Sequence, residues 1–597
     1  MRSNPGTPSF GNLRWGVGGL CLVAAWLFPF HSAVTRDAPQ QFFALGMLGL
    51  ASMLFGMSAI ARFPLIALAA FLVIMGVSPS AYGGAKVVGL AGLLLAGVAA
   101  HVGARVYRQP DRLVWLLVAI VIAAFCNAAE GLLQWFGLVA DLLQWVVEPE
   151  RRGIAFGAFR QPNLFATFVC VGMVCTMWLV ELRRLTQFMA WFLLVVMVFA
   201  VAASGSRSGA LELVALALAG LVWRKQQSVA VTRLMVGQLF VFGLATLALP
   251  VAAKWHGFDF VSGASRVANA TQDARFVIWR NALDLILERP WFGWGWLEFG
   301  YGHYVTVFPH RFGEVLGQAH NFYLQVAVEF GLPVALALLS ATLWFVFRGR
   351  PWQARLETSI ADNPRDERQK FQGAPTLTHT AILSAGASPS PSRQFAWAIL
   401  MLIGIHSMLE FPLWYPGFLF LTGLAVGFLM PAPTLASFGS GYSYWSTQVA
   451  RLCAAGLVAL AVVAGLQCAK VEPIAKAPFG DRPAQRAAVA AASDAWLFSG
   501  HVDFAAMGLV DVTAQNALDV RQRAEKLLHF SAEPPVIVPL LASLKLLGDT
   551  SAMQFHAERF CRAFPVAYAR WRQGAGGEEI QVSSARLPQP SCDQVKP

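Results

Sequence analysis

The chain has 597 residues, 56% of them hydrophobic and only 13% charged, with a formal net charge of +12 at pH 7. A soluble domain carries roughly 25% charged residues, so this composition excludes an ordinary globular protein. No basic block is interleaved with aromatics, so no nucleic acid is expected as a partner. The excess positive charge fits the cytoplasmic loops of a membrane protein instead.

Taken in chain order, the apolar runs predict an all-α polytopic membrane protein of about 12–13 transmembrane helices, because about 20 residues cross a bilayer. The runs lie near 14–30, 42–60, 63–79, 85–101, 113–136, 163–180, 188–204, 208–223, 233–253, 320–347, 395–411, 416–431 and 449–468. The first, Trp15–Phe30, reads as an uncleaved span. Arg62, Arg105, Arg108, Arg112, Arg183, Arg184, Arg224, Lys225 and Arg233 recur in alternate loops, which places the N-terminus in the cytoplasm. Four regions follow. Residues 1–253 hold helices 1 to 9. Residues 254–319 form a large periplasmic loop with an amphipathic helix. Residues 320–468 hold the last spans and a polar cytoplasmic loop, 348–393. Residues 469–597 form a C-terminal periplasmic helical domain, with amphipathic stretches at Arg486–Phe498 and Val520–Phe530. Five of the eight cysteines lie in apolar runs as small packing residues. Cys561 and Cys592 lie in the tail and are able to pair if it faces the periplasm.

Three polar motifs each precede an apolar run on the same face: RQPN at 160–163, SGSRSG at 204–209 and HNFYLQ at 320–325. A helix N-terminus presents unpaired N–H groups and partial positive charge, so three such ends beside Arg160, Arg207 and His320 suit an anionic group. Small residues around Arg207 let the backbone approach closely, and its guanidinium fork matches phosphate; a tight turn with a snorkelling arginine is the plainer reading. Gln161 or Asn163 caps the helix opened by Pro162. His320 is read either as a base that takes a hydroxyl proton or as an interfacial cap. Asn321 caps its helix or holds a substrate oxygen.

The stretch 274–296 predicts an amphipathic helix on the membrane surface. Arg275 and Arg280 are candidates to reach a pyrophosphate, with lipid-headgroup contact the better reading for Arg280. Trp291, Trp294 and Trp296 fit an interfacial aromatic belt. Glu329 is expected to partner an arginine, and Gly331-Leu332-Pro333 to kink its helix. His406 and Glu410, four apart, are expected to pair. Tyr415, before Pro416, contacts substrate or sits in the belt. No P-loop, HExxH, GxSxG or Asp-x-Asp motif occurs, so neither metal nor cofactor is expected.

RQPN, SGSRSG, ARFVIW with RPWFGWGW, HNFYLQVAVEFGLP and HSMLEFPLWY, in this order, resemble the bacterial protein O-oligosaccharyltransferases of the pilin-glycosylation type, which are similar to O-antigen ligases and polymerases. The resemblance covers roughly 150–430, and the tail is similar to that group's C-terminal domain. It implies an inner-membrane enzyme that transfers oligosaccharide from undecaprenyl diphosphate to Ser or Thr of a pilin or other periplasmic protein. It implies His320 as the essential histidine, Arg207 and Arg275 as pyrophosphate ligands, and Gln161 and Tyr415 as further positions the branch needs. Two other readings stand beside it. One is ligation to lipid A core or O-antigen polymerisation. The other is a transporter or flippase, which Glu329 favours but which the gathering of motifs at one surface disfavours.

Overall fold

The computed structural model describes residues 10–28, 31–78, 80, 82–139, 147–149, 152–258, 260, 274–311, 315–353, 392–430, 440–573 and 592. Most of the expected cytoplasmic loop, and the end of the tail apart from Cys592, lie outside these residues. The described residues form an all-helical, multi-pass membrane protein. In chain order the helices are α1 (Phe10–Leu27), α2 (Ala38–Phe55), α3 (Arg62–Val77), α4 (Gly83–Val106), α5 (Pro110–Phe136), α6 (Pro162–Glu181), α7 (Gln187–Ser204), α8 (Arg207–Val222), α9 (Val229–Trp255), α10 (Ala274–Glu288), α11 (Phe299–Val305), α12 (Phe322–Phe330), α13 (Leu332–Gly349), α14 (Ser392–Ser407), α15 (Pro416–Leu429), α16 (Ser440–Lys476), α17 (Arg482–Ala491), α18 (Ser499–Met507), α19 (Ala517–Leu528), α20 (Pro534–Leu547), α21 (Thr550–Ala563) and α22 (Pro565–Arg572).

Among the described residues, eight helices are long and apolar enough to cross a membrane. Several expected spans are shorter: α8 has 16 residues and α15 has 14. Both pack on other helices; α15 is buried along most of its length, whereas α8 keeps Leu211, Leu218 and Leu221 exposed. The centre of the bundle is α6, buried along nearly its whole length from Leu164 to Val180. Small residues allow the closest helix contacts. A Cβ on Gly423 or Gly427 of α15 would come within 2.1 or 2.2 Å of the carbonyl oxygens of Ala96 and Ala100 in α4. That spacing is the small-xxx-small seam by which membrane helices approach backbone to backbone.

The expected tenth span is broken rather than bent. It ends at Phe330 and restarts at Leu332, with Gly331 at φ +85°. A break inside a membrane leaves backbone groups that must find protein partners. The Trp-Phe-Gly-Trp-Gly-Trp loop, 291–296, supplies them with Pro290: Trp294 N–H donates to Val328 O (2.8 Å), Gly295 N–H to Glu329 O (3.0 Å), and Leu332 N–H to Pro290 O (2.8 Å). The loop glycines are therefore there for contact, since a Cβ on Gly293 would lie 2.4 Å from the Glu329 carbonyl carbon. This corrects the aromatic-belt reading for two of the three tryptophans. Trp294 and Trp296 are buried, and only Trp291 is exposed. The same break corrects the reading of Glu329. Among the described residues it partners no arginine; its carboxylate accepts from Gln325 Nε2 (2.9 Å) and Leu297 N–H (3.0 Å), fastening loop to helix.

The last bundle helix, α16, has 37 residues. That is about 55 Å of helix against a hydrocarbon core of about 30 Å, so it leads out of the bundle into the tail. The tail helices enclose their own core around Val520, Leu527, Leu540 and Phe560, and Cys561 is disulfide-bonded to Cys592. This small domain sits on the loop after α10. His529 Nδ1 meets Glu298 Oε2 at 2.7 Å, and Arg559 Nε donates to Val305 O at 2.9 Å.

Candidate active site

Three helix starts do meet at one end of the bundle, and each is capped by a side chain from its own motif. Gln161 Oε1 accepts from Leu164 N–H (2.5 Å) at α6, Ser206 Oγ from Gly209 N–H (3.0 Å) at α8, and Asn321 Oδ1 from Tyr323 and Leu324 N–H (both 3.1 Å) at α12. Capping thus satisfies part of each terminus, and Gln161 is employed in it. Two residues in these motifs, Arg160 and His320, hold φ +59° and +50°, a left-handed conformation uncommon outside glycine and concentrated at functional sites.

At the centre lies Glu410, in the turn between α14 and α15. Its Oε2 receives His320 Nδ1 at 2.7 Å, and its Oε1 receives Arg275 Nη2 at 2.6 Å and Asn163 Nδ2 at 3.1 Å. Asn163 in turn accepts the Ser206 hydroxyl proton at 2.6 Å. Arg207 follows Ser206 directly, so it stands at the start of α8 beside this network. Residues far apart in the chain are joined through one carboxylate.

Glu410 is buried, at 7% exposure. Burial alone would raise its pKa, but the hydrogen bonds and charges of His320 and Arg275 outweigh that and hold the carboxyl below its ordinary value. The ionised carboxylate accepts the hydrogen bond of Nδ1–H, so in the neutral imidazole the lone pair sits on Nε2. The His320 ring meets Phe411 edge-on at 5.3 Å, and Phe411 stacks on Tyr415 at 6.4 Å. Burial, together with the Asp37 and Glu410 carboxylates, raises the Tyr415 hydroxyl pKa.

The expected His406–Glu410 pair is not formed. Helical spacing puts both on one side, but α14 ends at Ser407, so Glu410 leaves the helix and turns to His320. His406 points the other way, with Nδ1 2.7 Å from Thr167 Oγ1, which donates to Glu212 Oε1 at 2.6 Å. This buried relay of α14, α6 and α8 was not among the sequence candidates; the polar Thr167 and Glu212 within apolar runs were its only signal.

The remaining candidates separate clearly. Arg275 is half-buried, whereas Arg280 is exposed one and a half turns on. Arg160 is half-buried, with its Nη1 enclosed and making no hydrogen bond to protein. Asn321, besides capping α12, donates through Nδ2 to Met408 O (3.1 Å), tying that helix to the Glu410 turn.

Residues 192–339 match the family described as O-antigen ligase, and residues 394–576 match the one described as virulence factor membrane-bound polymerase, C-terminal. The chain is also similar to the general O-oligosaccharyltransferase of Acinetobacter baylyi, at 24% identity over 285 residues, 46% of this chain and 43% of that protein. It is 20% identical over 342 residues to the ComP-specific O-oligosaccharyltransferase of the same organism, 57% of this chain and 54% of that protein. The chain thus spans about half the length of these curated relatives. Both family matches and both relatives point the same way: the chain is similar to O-antigen ligases and O-oligosaccharyltransferases.

Proposed function

We propose that the chain is a metal-independent, inverting glycosyltransferase of the bacterial inner membrane. It moves an oligosaccharide from undecaprenyl diphosphate to a Ser or Thr hydroxyl of a pilin or another periplasmic protein. The observation that carries this reading is the His320–Glu410–Arg275 network at the meeting of three helix starts. Glu410 orients the imidazole and stabilises its protonated form, as a carboxylate behind a catalytic histidine does.

In this mechanism the acceptor oxygen attacks the anomeric carbon while the bond from that carbon to the diphosphate oxygen breaks. The diphosphate leaves with the electron pair, and the hydroxyl proton passes to Nε2 of His320. One displacement inverts the anomeric centre. The leaving group carries several negative charges, so positive groups aimed at it supply the main stabilisation. In this reading Arg207, the α8 terminus and Arg275 supply that stabilisation, with Arg160 and Asn321 flanking. The proposed site faces the periplasm, which the arginine-rich opposite end supports.

The test is glycan transfer in vitro, with purified protein, lipid-linked oligosaccharide and a pilin. His320→Ala that is correctly inserted yet as active as wild type would end the general-base role. The description of the C-terminal match favours a second reading, in which the acceptor is another lipid-linked glycan. Products of increasing glycan length formed without any protein acceptor would select it.

A further inference from the structure

The end of the bundle opposite Glu410 carries a second concentration of arginine. Arg14, Arg105, Arg112 and Arg451 line a cavity of about 230 Å³ together with Gly56 and Met57, and among the described residues no carboxylate lines it. Asp111, next to Arg112 in sequence, faces Arg184 instead, at 3.6 Å. Part of the cluster is structural. Arg112 Nη1 donates to Phe55 O (2.8 Å) and Arg14 Nη2 to Met53 O (2.7 Å), satisfying carbonyls at the end of α2. These bonds bring neither guanidinium a carboxylate; Arg112 lies over the Trp15 ring at 5.1 Å, and its Nε is buried with no hydrogen-bond partner among the described residues. Capping also leaves Arg105 and Arg451 unexplained; among the described residues Arg451 reaches Gln448, at 3.4 Å.

Beside this cavity lies an apolar slot of about 640 Å³, walled by Leu13, Val17, Leu50, Met53 and Leu54, and sharing Arg14 and Arg451 with it. A phosphate-sized basic cavity continuous with an apolar slot has the chemistry of a phospholipid, head and tail. We propose that this pair of cavities binds an anionic phospholipid of the cytoplasmic leaflet, with its phosphate among the four guanidinium groups and an acyl chain along Val17 and Met53. Guanidinium forks match phosphate oxygens, and basic pockets between membrane helices on the cytoplasmic side bind anionic headgroups. A free phosphate would use the basic cavity and not the slot. This inference stands apart from the proposed reaction.

The experiment uses the full chain in detergent, with retention of dioleoylphosphatidylglycerol measured by native mass spectrometry against dioleoylphosphatidylcholine. Phosphatidylglycerol should be retained preferentially. R14Q/R451Q, which changes two exposed side chains, should weaken it by roughly 30-fold, from the loss of two surface charges. Val17→Trp fills the slot from a position 42% exposed; it should reduce retention with every arginine in place, and tests the slot even if the double variant is unstable. Equal retention of both lipids, or unchanged phosphatidylglycerol binding in R14Q/R451Q and Val17→Trp, would overturn the proposal. Competition by millimolar inorganic phosphate as strong as by the lipid would assign the cavity to a soluble anion and overturn it as well.

Discussion

The two ends of the bundle both gather arginine, and they handle the charge differently. At one end Arg275 is held against Glu410, which also holds His320 and Asn163. At the other, four arginines surround a cavity with no acid among its described lining residues. α5 separates these ends with 27 residues, about 40 Å of helix. A buried charge needs a partner and hydrogen bonds, so the site end is a fixed constellation whose members depend on one another. Charges at the membrane surface are met by water and lipid headgroups, so the other end tolerates substitution one residue at a time. A residue's charge alone therefore says little about its task; the carboxylate it meets says more.

The largest effects should follow from removing that carboxylate or the base. His320→Ala is expected to lower transfer by about 10²–10⁴-fold, the usual worth of one general base. Glu410→Gln should fall within the same range, since it removes the ionised acceptor of the Nδ1 proton while keeping the shape of the turn. Measured turnover with saturating donor checks both. Glu410→Ala should in addition destabilise the fold by up to about 3 kcal/mol, because it strands a half-buried guanidinium; thermal unfolding in detergent reads this. If Arg14→Gln cost as much activity as Arg275→Gln, the contrast between the two ends would fail.

The next effect concerns the support of the site. Gly331→Ala asks a non-glycine residue to hold φ +85°, which costs about 1–3 kcal/mol. It also puts a Cβ 2.3 Å from the Trp291 carbonyl oxygen. The expected outcome is a lower unfolding midpoint and a loss of activity, as α12 and its His320 lose their seating on the tryptophan loop.

Composition and periodicity were enough to read the class of fold, because twenty-residue apolar runs are strong local signals. Arg160, Arg207 and His320 stand out as candidates for a related reason: cations beside helix starts are conspicuous in so apolar a chain, whereas Arg275 is singled out by the family resemblance. What stayed hidden depended on tertiary approach. Helical spacing tied Glu410 to His406, but the helix stops first, and no local pattern says which distant histidine the freed carboxylate meets. Glu329 likewise suggested an ion pair, where the broken backbone called for an acceptor of N–H groups. The glycines between Trp291 and Trp296 carried the clue to that break, but only the loop and helix together make it visible.

A smaller effect is expected at Arg207. Arg207→Lys keeps charge and loses the planar fork, so the donor KM should rise by about tenfold, the worth of one charge-assisted hydrogen bond, with turnover less affected. An unchanged KM would mean that charge alone suffices there, which would make this end of the bundle resemble the other.

Acid offers the gentlest test, since it turns one kind of arginine site into the other. Glu410 is held below its ordinary value of 4.5. Its stabilising contribution is therefore complete above the unfolded value and is lost only as pH falls through the lower folded one. Below that point Arg275 would lack an ionised carboxylate beside it, as the arginines lining the far cavity do. The tail should respond earlier. Burial lowers the pKa of His501 and His556 to about 4, with Arg36 adding to the effect at His501 and the nearby Arg559 and Arg521 at His556 against the opposing Glu525. In the unfolded chain each titrates near 6.5, so the unfolded state binds protons first as pH drops. Tail stability should thus be complete above about 6.5 and decline toward about 4. Hydrogen exchange at pH 7, 5.5 and 4.5 should show α18 and α21 losing protection while Asn163 and the start of α6 keep theirs. Equal loss in both regions would mean that the tail histidines are solvated and that the tail has no acid sensitivity of its own.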